Sequence, residues 1–137
     1  MKFTTNLTTA SITNDAGFAV TFSPKDVNFV SDVYDLAEDI RLKLEEQPPE
    51  DKQDVFKVAK ERDRWARERL DAIFGDGTAQ NFFGRVNLWT ITDLGTPLIT
   101  NFLMAIIDEV DVAASAKVEV SPKLQAFVSK YEGKYNV

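Results

Sequence analysis

Carboxylates are the side chains of this sequence whose clustering could support acid–base chemistry or hold a hard cation. One cluster straddles a Pro-Pro turn, and the other lies near the end of a predicted helix. Their members are Glu45, Glu46, Glu50 and Asp51, and then Asp108, Glu109 and Asp111. Neither cluster has the spacing of a calcium-binding loop. Charged residues are rarely buried without partners, so we interpret both clusters as solvated surface.

Histidine and cysteine are both absent from the 137 residues. Their absence excludes Ser-His-Asp and Cys-His nucleophiles, thiolate or imidazole metal ligands, and disulfides. We therefore predict a protein that is not an enzyme and that needs neither a metal nor a cofactor. A carboxylate-dependent enzyme remains the third and weakest of the functional hypotheses, because no constellation of residues supports it.

A glycine-containing segment, Gly75-Asp76-Gly77-Thr78-Ala79-Gln80, is superficially similar to a phosphate-binding loop. No Lys-Ser or Lys-Thr follows it, and Gln80 stands where a dinucleotide-binding fingerprint has its third glycine. The segment is better explained as a helix end at Gly75, with Thr78 capping the next helical turn.

Basic residues concentrate between residues 57 and 69, where acidic residues are interleaved with them. The spacing predicts four i,i+4 pairs, which are Lys57–Glu61, Asp63–Arg67, Arg64–Glu68 and Arg67–Asp71. The stems of Arg62 and Arg69 could instead lie along the neighbouring apolar stripe. The net charge is −6 and the pI about 4.7. These features argue against a nucleic-acid partner, which requires an unpaired basic face.

The elements that must position these residues start with a β-hairpin. Phe18, Val20 and Phe22 alternate with polar neighbours, as in a half-buried strand, and the loop Asn14–Gly17 tolerates positive φ. Ser23 is the predicted N-cap of the first helix, which reaches about residue 47. Its predicted buried face comprises Val27, Val30, Val33, Tyr34, Ala37, Ile40 and Leu44.

Further apolar stripes predict helices over 50–74, 78–84 and 97–114. The predicted fold is α+β, an N-terminal β-hairpin followed by a predominantly helical domain of three to five helices. We predict one domain over 1–137, with a hairpin region at 1–22, a helical body at 23–115 and a C-terminal short helix or tail at 116–137. No apolar run approaches the ~20 residues that cross a bilayer, so we expect no membrane partner.

Six large apolar residues are candidates for a partner-binding surface, with the hydrophobic core as the alternative location. They are Trp65, Phe82, Phe83, Trp89, Leu98 and Phe102. In a small domain such residues mostly build the core, yet Trp and Phe are also frequent interface anchors. The aromatic segment 82–89 and the apolar helix 97–110 are therefore the predicted recognition surfaces.

The stretch from Leu70 to Gly84 contains Phe74, Gly75, Gly77, Thr78, Ala79, Phe83 and Gly84 in the pattern F-G-x-G-T-A-x-x-x-F-G. This pattern resembles a helix-end motif of small proteins encoded in the tail-gene modules of phages and prophages of Gram-positive bacteria. The order of elements over residues 17–115 is also similar. After Gly84 the chain departs from that family's pattern.

The resemblance implies a non-enzymatic tail assembly chaperone of a long-tailed phage. Such a protein binds the tape-measure protein and helps to recruit tail-tube subunits, acts as a homo-oligomer, and resides in the cytoplasm of the host bacterium. The alternative is a structural phage protein of the neck, a tail-completion protein or a minor tail protein. In that case its hairpin would extend the sheet of a neighbouring subunit.

Overall fold

Two strands precede four helices in the part of the chain that the computed structural model describes, residues 1–4 and 7–115. The elements are β1 (Ala10–Thr13), β2 (Ala19–Phe22), α1 (Val27–Glu45), α2 (Lys52–Phe74), α3 (Thr78–Phe83) and α4 (Leu98–Ser115). The predicted α+β class, with a hairpin followed by helices, is confirmed. The short helix or tail predicted for 116–137 lies outside the described residues.

The hairpin pairs β1 and β2 antiparallel, with Ala10 opposite Phe22 and Thr13 opposite Ala19. Its loop is closed by Asn14, whose side-chain oxygen accepts a hydrogen bond from the Phe18 N–H at 2.9 Å. Gly17 has a φ of +90°, a conformation that favours glycine. The predicted alternation holds for Val20 and Phe22, which are buried, whereas the side chain of Phe18 is 47% exposed.

α1 begins three residues later than predicted, because Ser23 closes a turn and does not cap a helix. The Ser23 carbonyl accepts a hydrogen bond from the Asp26 N–H at 3.1 Å. Asp26 is the N-cap, and its carboxylate accepts from the Asn28 N–H at 3.0 Å. The prediction of Ser23 as the cap is therefore wrong.

The buried face of α1 also differs from the predicted one. Val33, Leu36 and Ile40 are buried. Three members of the predicted face, Val27, Tyr34 and Leu44, are 77%, 46% and 49% exposed. The face is fixed by the hairpin, since the ring of Phe22 stacks on that of Phe29 with centroids 5.1 Å apart.

The turn between α2 and α3 is built around glycines and the carboxylate of Asp71. Gly75 ends α2 with a φ of +113°, which confirms the predicted helix end. The Asp71 carboxylate accepts hydrogen bonds from the N–H groups of Ala79 at 2.9 Å and Gly77 at 3.3 Å. Thr78 is the first residue of α3 and its hydroxyl donates to the Gly75 carbonyl at 2.7 Å. Gly77 is thus the N-cap of α3, with the Asp71 carboxylate as the acceptor, and the prediction of Thr78 as the cap is wrong.

The core lies where the hairpin, α1, α2 and α4 meet. Its fully buried side chains include Val33, Leu36, Leu70, Leu88, Ile99 and Ile106. A chain of edge-to-face rings runs through it, with Phe74 contacting both Phe22 at 6.5 Å and Phe102 at 5.3 Å between centroids. This arrangement is the favourable geometry of aromatic pairs. Within residues 1–4 and 7–115, no helix is long and apolar enough to cross a membrane.

Candidate protein-binding surface

Two of the predicted anchors, Trp65 and Trp89, come together as a stacked pair. Trp65 lies on α2, and Trp89 lies in the segment between α3 and α4. Their ring centroids are 6.2 Å apart with an interplanar angle of 29°. Both side chains are half-buried and pack against the core on one side. The pair is therefore held in place by the core on one side and is partly exposed to another molecule on the other.

Three cationic side chains lie over these rings. The Lys43 ammonium is 4.6 Å from the Trp65 ring centroid, and the Arg69 guanidinium is 5.3 Å from it. Arg62 lies 5.8 Å from the Trp89 ring. Cation–π contacts at such distances are worth about 0.5–1 kcal/mol each at exposed sites. We call Lys43, Arg62, Trp65, Arg69 and Trp89 the aromatic–cation cluster.

Carboxylates from α1 and from the residue after it hold the two arginines of this cluster in place. Arg69 is 2.7 Å from Asp39, and Arg62 is 3.0 Å from Glu46. Exposed ion pairs of this kind contribute little to stability, but they orient the guanidinium groups over the rings. These contacts are made by the guanidinium groups, so the placement of the Arg62 and Arg69 stems along the apolar stripe of α2 stays a prediction.

The segment that carries Trp89 is fastened to α2 by a partly buried ion pair with additional hydrogen bonds. Arg67 is 3.0 Å from Asp63 and donates to the carbonyl oxygens of Gly84 and Val86 at 2.6 and 2.8 Å. Asp63 also accepts a hydrogen bond from the Leu88 N–H at 2.8 Å. We call Asp63 and Arg67 the α2 clamp. It fixes the backbone immediately before Trp89.

The pattern of ion pairs on α2 differs from the predicted series. Of the four predicted i,i+4 pairs, Asp63–Arg67 is the one present among the described residues. Asp71 is engaged by the backbone of the glycine turn, and Arg67 turns toward the carbonyls of the following segment. Tertiary contacts thus redirect side chains that helical spacing alone would pair along the surface.

The indole N–H of Trp89 is buried and has no acceptor within the described part of the chain. A buried donor without a partner is unfavourable, by about 1–3 kcal/mol. The position of the ring is therefore determined by packing on Trp65 and by the neighbouring backbone. There the backbone N–H of Trp89 donates a hydrogen bond to the side-chain oxygen of Asn87 at 2.9 Å.

The other four predicted anchors form a separate group at the start of α4. Phe82 and Phe83 are half-buried and pack edge-on against Phe102, with centroids 5.4 and 5.5 Å away. Phe102 is only 6% exposed and belongs to the core. In this conformation a partner cannot reach its ring. Leu98 is half-buried at the first position of α4.

Sequence reasoning missed an exposed apolar turn between Trp89 and α4. Leu94 and Ile91 are 82% and 61% exposed. The turn is closed by the Thr92 N–H donating to the Thr96 carbonyl at 2.9 Å, and by the Asn101 amide donating to the Thr92 hydroxyl at 3.0 Å. The Asp-Leu-Gly sequence at the turn could have indicated this feature, since Gly95 adopts a φ of +83°.

The aromatic–cation cluster has groups that can bind a partner through apolar contact, cation–π interaction and charge. Within residues 1–4 and 7–115, no group of three carboxylates is placed to hold a metal ion. Comparison of the chain with protein-family models, with curated proteins and with solved structures finds no match.

Proposed function

We propose that this protein is a non-enzymatic tail assembly chaperone of a long-tailed phage. It binds the tape-measure protein and helps to recruit tail-tube subunits in the cytoplasm of the host bacterium, as a homo-oligomer. The structural observation that supports a protein-binding role is the aromatic–cation cluster. Trp and Arg are the residue types that most often dominate the binding free energy of protein interfaces.

The cluster has the chemistry needed to hold an amphipathic helix, the kind of segment expected in a tape-measure protein. The half-buried rings of Trp65 and Trp89 offer apolar contact, while Lys43 offers positive charge to acidic residues flanking the apolar stripe of such a helix. Because the α2 clamp fixes the backbone before Trp89, less conformational entropy is lost on binding.

The assignment to phage tails rests on the resemblance of the Phe74–Gly84 motif. Each glycine of this motif has a positive φ, which accounts for glycine at Gly75, Gly77 and Gly84. The last residue of the motif is also held by the α2 clamp, since the Gly84 carbonyl accepts a hydrogen bond from Arg67. The motif thus supports the proposed surface structurally and is not itself a binding element.

The test is binding to the tape-measure protein encoded in the same gene cluster. We expect Lys43→Glu and Trp89→Ala each to raise the dissociation constant at least about tenfold, equivalent to about 1.4 kcal/mol. Phe56→Ala is the matched control, because Phe56 is an aromatic residue on α2, the helix that carries Trp65, and is 68% exposed but lies outside the cluster. Circular dichroism of each variant checks that the fold is retained.

Two results would overturn the proposal. One is a dissociation constant that is the same for the wild type and all the variants, which would show that the cluster is not part of the interface. The other is the presence of the protein in stoichiometric amounts in finished virions, because an assembly chaperone leaves the tail once assembly is complete.

The second candidate is a structural neck, tail-completion or minor tail protein. Among the described residues, β1 and β2 pair only with each other, so each strand has one edge without a neighbour. Such an edge can accept a strand from another subunit. Stoichiometric incorporation into virions, together with protection of the β1 or β2 amides from hydrogen exchange in the assembled particle, would favour this candidate.

A further inference from the structure

An apolar groove lies between the start of α1 and the end of α4, away from the aromatic–cation cluster. It has a volume of about 570 Å³. One wall is lined by Pro24, Lys25, Val27, Val30 and Ser31, and the other by Val110, Ala113 and Ala114. Val27 is 77% exposed although it belongs to a helix next to the core. A groove of this size and lining is suited to the apolar face of a helix.

The described part of the chain stops at the edge of this groove. Within it α4 reaches Ser115, directly after two of the lining residues, and 22 residues follow, 116–137. Within them, Leu124, Phe127, Val128 and Tyr131 have the i, i+3, i+4, i+7 spacing of one apolar helical face. Ser121 and Pro122 are the residue types preferred at an N-cap and at the first helical position.

Charge also favours contact between this segment and the rest of the chain. Residues 116–137 contain four lysines and two glutamates, a net charge of +2; the whole chain carries −6, so residues 1–115 carry −8. Exposed acidic residues adjoin both walls of the groove, with Asp26 at the N-cap of α1 and Asp111 next to Val110 on α4. Lysines at 123 and 130 flank the apolar positions of the segment.

The connecting chain is long enough for the segment to turn back. The six residues 116–121 can span up to about 20 Å when extended. A ten-residue helix over 122–131 would be about 15 Å long, and the part of α4 from Val110 to Ser115 is about 7.5 Å long. The connecting residues are therefore long enough for the apolar face of the segment to enter the groove.

We propose that residues 122–131 of this same chain dock in the groove between α1 and α4, with Leu124, Phe127, Val128 and Tyr131 facing Val27, Val30 and Val110. This proposal goes beyond the chaperone function and does not depend on it. The docked segment covers the groove and competes with any other helix that enters it.

Methyl NMR of the full chain tests the docking. Phe127→Asp removes a central apolar contact, and we expect the methyl resonances of Val27, Val30 and Val110 to shift or broaden. Ala126→Asp is the matched control, since it places the same charge in the same segment on the opposite side of the proposed helix; it should leave those resonances unchanged. If neither substitution moves them, or if both move them equally, the segment does not dock there.

Disulfide cross-linking identifies whose segment occupies the groove, and the absence of native cysteine makes every bridge interpretable. We expect Val27→Cys with Phe127→Cys to form an intramolecular bridge at least about tenfold faster than Phe56→Cys with Phe127→Cys, because a bridge requires Cα atoms within about 7 Å. Covalent dimers would overturn the proposal in favour of a second copy's segment. No tape-measure protein is present in either experiment, so failure of this proposal is separable from failure of the chaperone function.

Discussion

Arg67 connects α2 to the segment after α3 through one guanidinium group. It pairs with Asp63 on its own helix and donates to two carbonyls of the segment after α3. Its side chain is only 20% exposed. A planar guanidinium can satisfy several acceptors in fixed directions, which a lysine ammonium on a flexible stem cannot reproduce.

We predict that Arg67→Ala lowers the free energy of unfolding by about 2–3 kcal/mol, because it leaves Asp63 and the two carbonyls without their charged donor. Arg67→Lys should recover only part of that loss. Urea denaturation measures both, with Arg64→Ala as the exposed control on the same helix, expected within about 0.5 kcal/mol of the wild type. A full recovery by lysine would show that charge alone, without the geometry of the guanidinium, holds the segment.

Exposed charged pairs on α1 behave differently from the clamp. Arg41 donates hydrogen bonds to Glu38 and Glu45, and its hydrogen bond holds the pKa of the Glu38 carboxyl below its ordinary value. Any stabilisation from this lowered pKa is present above the ordinary value and is lost as the pH falls through the lowered one. Because both side chains are more than half exposed, solvent screens the interaction.

Helical spacing could predict which residues of α2 are near one another, but not which partners they choose. Arg67 has Asp63 four residues before it and Asp71 four residues after it. The choice is made by groups far away in sequence, namely the Gly84 and Val86 carbonyls for Arg67 and the Ala79 N–H for Asp71. Similarly, Lys43 lies over Trp65 because α1 and α2 pack together, which no local pattern indicates.

At the scale of elements, the presence of the helices could be predicted from the sequence, whereas the buried face of α1 could not. α1 has apolar residues on several sides, including the exposed Leu42 and Leu44, so more than one stripe fits a helical period. The face is selected by the stacking of Phe22 on Phe29, a contact between two elements. α4 was easier to predict because its apolar residues Ile99, Phe102, Leu103 and Ile106 form one unambiguous buried stripe.

The observed face of α1 gives a direct prediction. Leu36→Ala should lower the free energy of unfolding by about 2–5 kcal/mol, because Leu36 is fully buried and its removal leaves a cavity. Leu42→Ala is the control, identical in chemistry and on the same helix but with 48% of its side chain exposed, so a change below about 1 kcal/mol is expected. Equal losses measured by urea denaturation would mean that α1 is rotated from the described orientation.

At the scale of the whole molecule, the hairpin is joined to the helices by both apolar and polar contacts. Val20 and Phe22 belong to the same core as Leu36 and Ile106. The Asn14 amide donates to the carbonyl oxygens of Asn81 and Phe82 at 3.3 and 3.2 Å. A two-stranded hairpin is marginally stable by itself, so these contacts stabilise it.

We predict a single unfolding transition for the hairpin and the helices. Far-UV circular dichroism, which reports the helices, and Trp fluorescence, which reports the Trp65–Trp89 stack, should give coincident urea midpoints. Phe22→Ala, in the hairpin, should lower both midpoints together because its ring packs against Phe29 and Phe74. Unchanged midpoints in Phe22→Ala would show that the hairpin and the helices unfold separately, because both signals come from outside the hairpin.

The contact of Asn14 with Asn81 and Phe82 has a consequence for synthesis on the ribosome. The hairpin is translated before its partners, since 67 or 68 positions separate Asn14 from the carbonyls that it binds. At about 5–20 residues per second, Phe82 is added roughly 3–12 s after Phe22. During that interval the nascent chain must carry β1 and β2 without the surface that buries Val20 and Phe22. The hairpin therefore precedes the four helices in translation, but the carbonyls that anchor Asn14 are added only with α3.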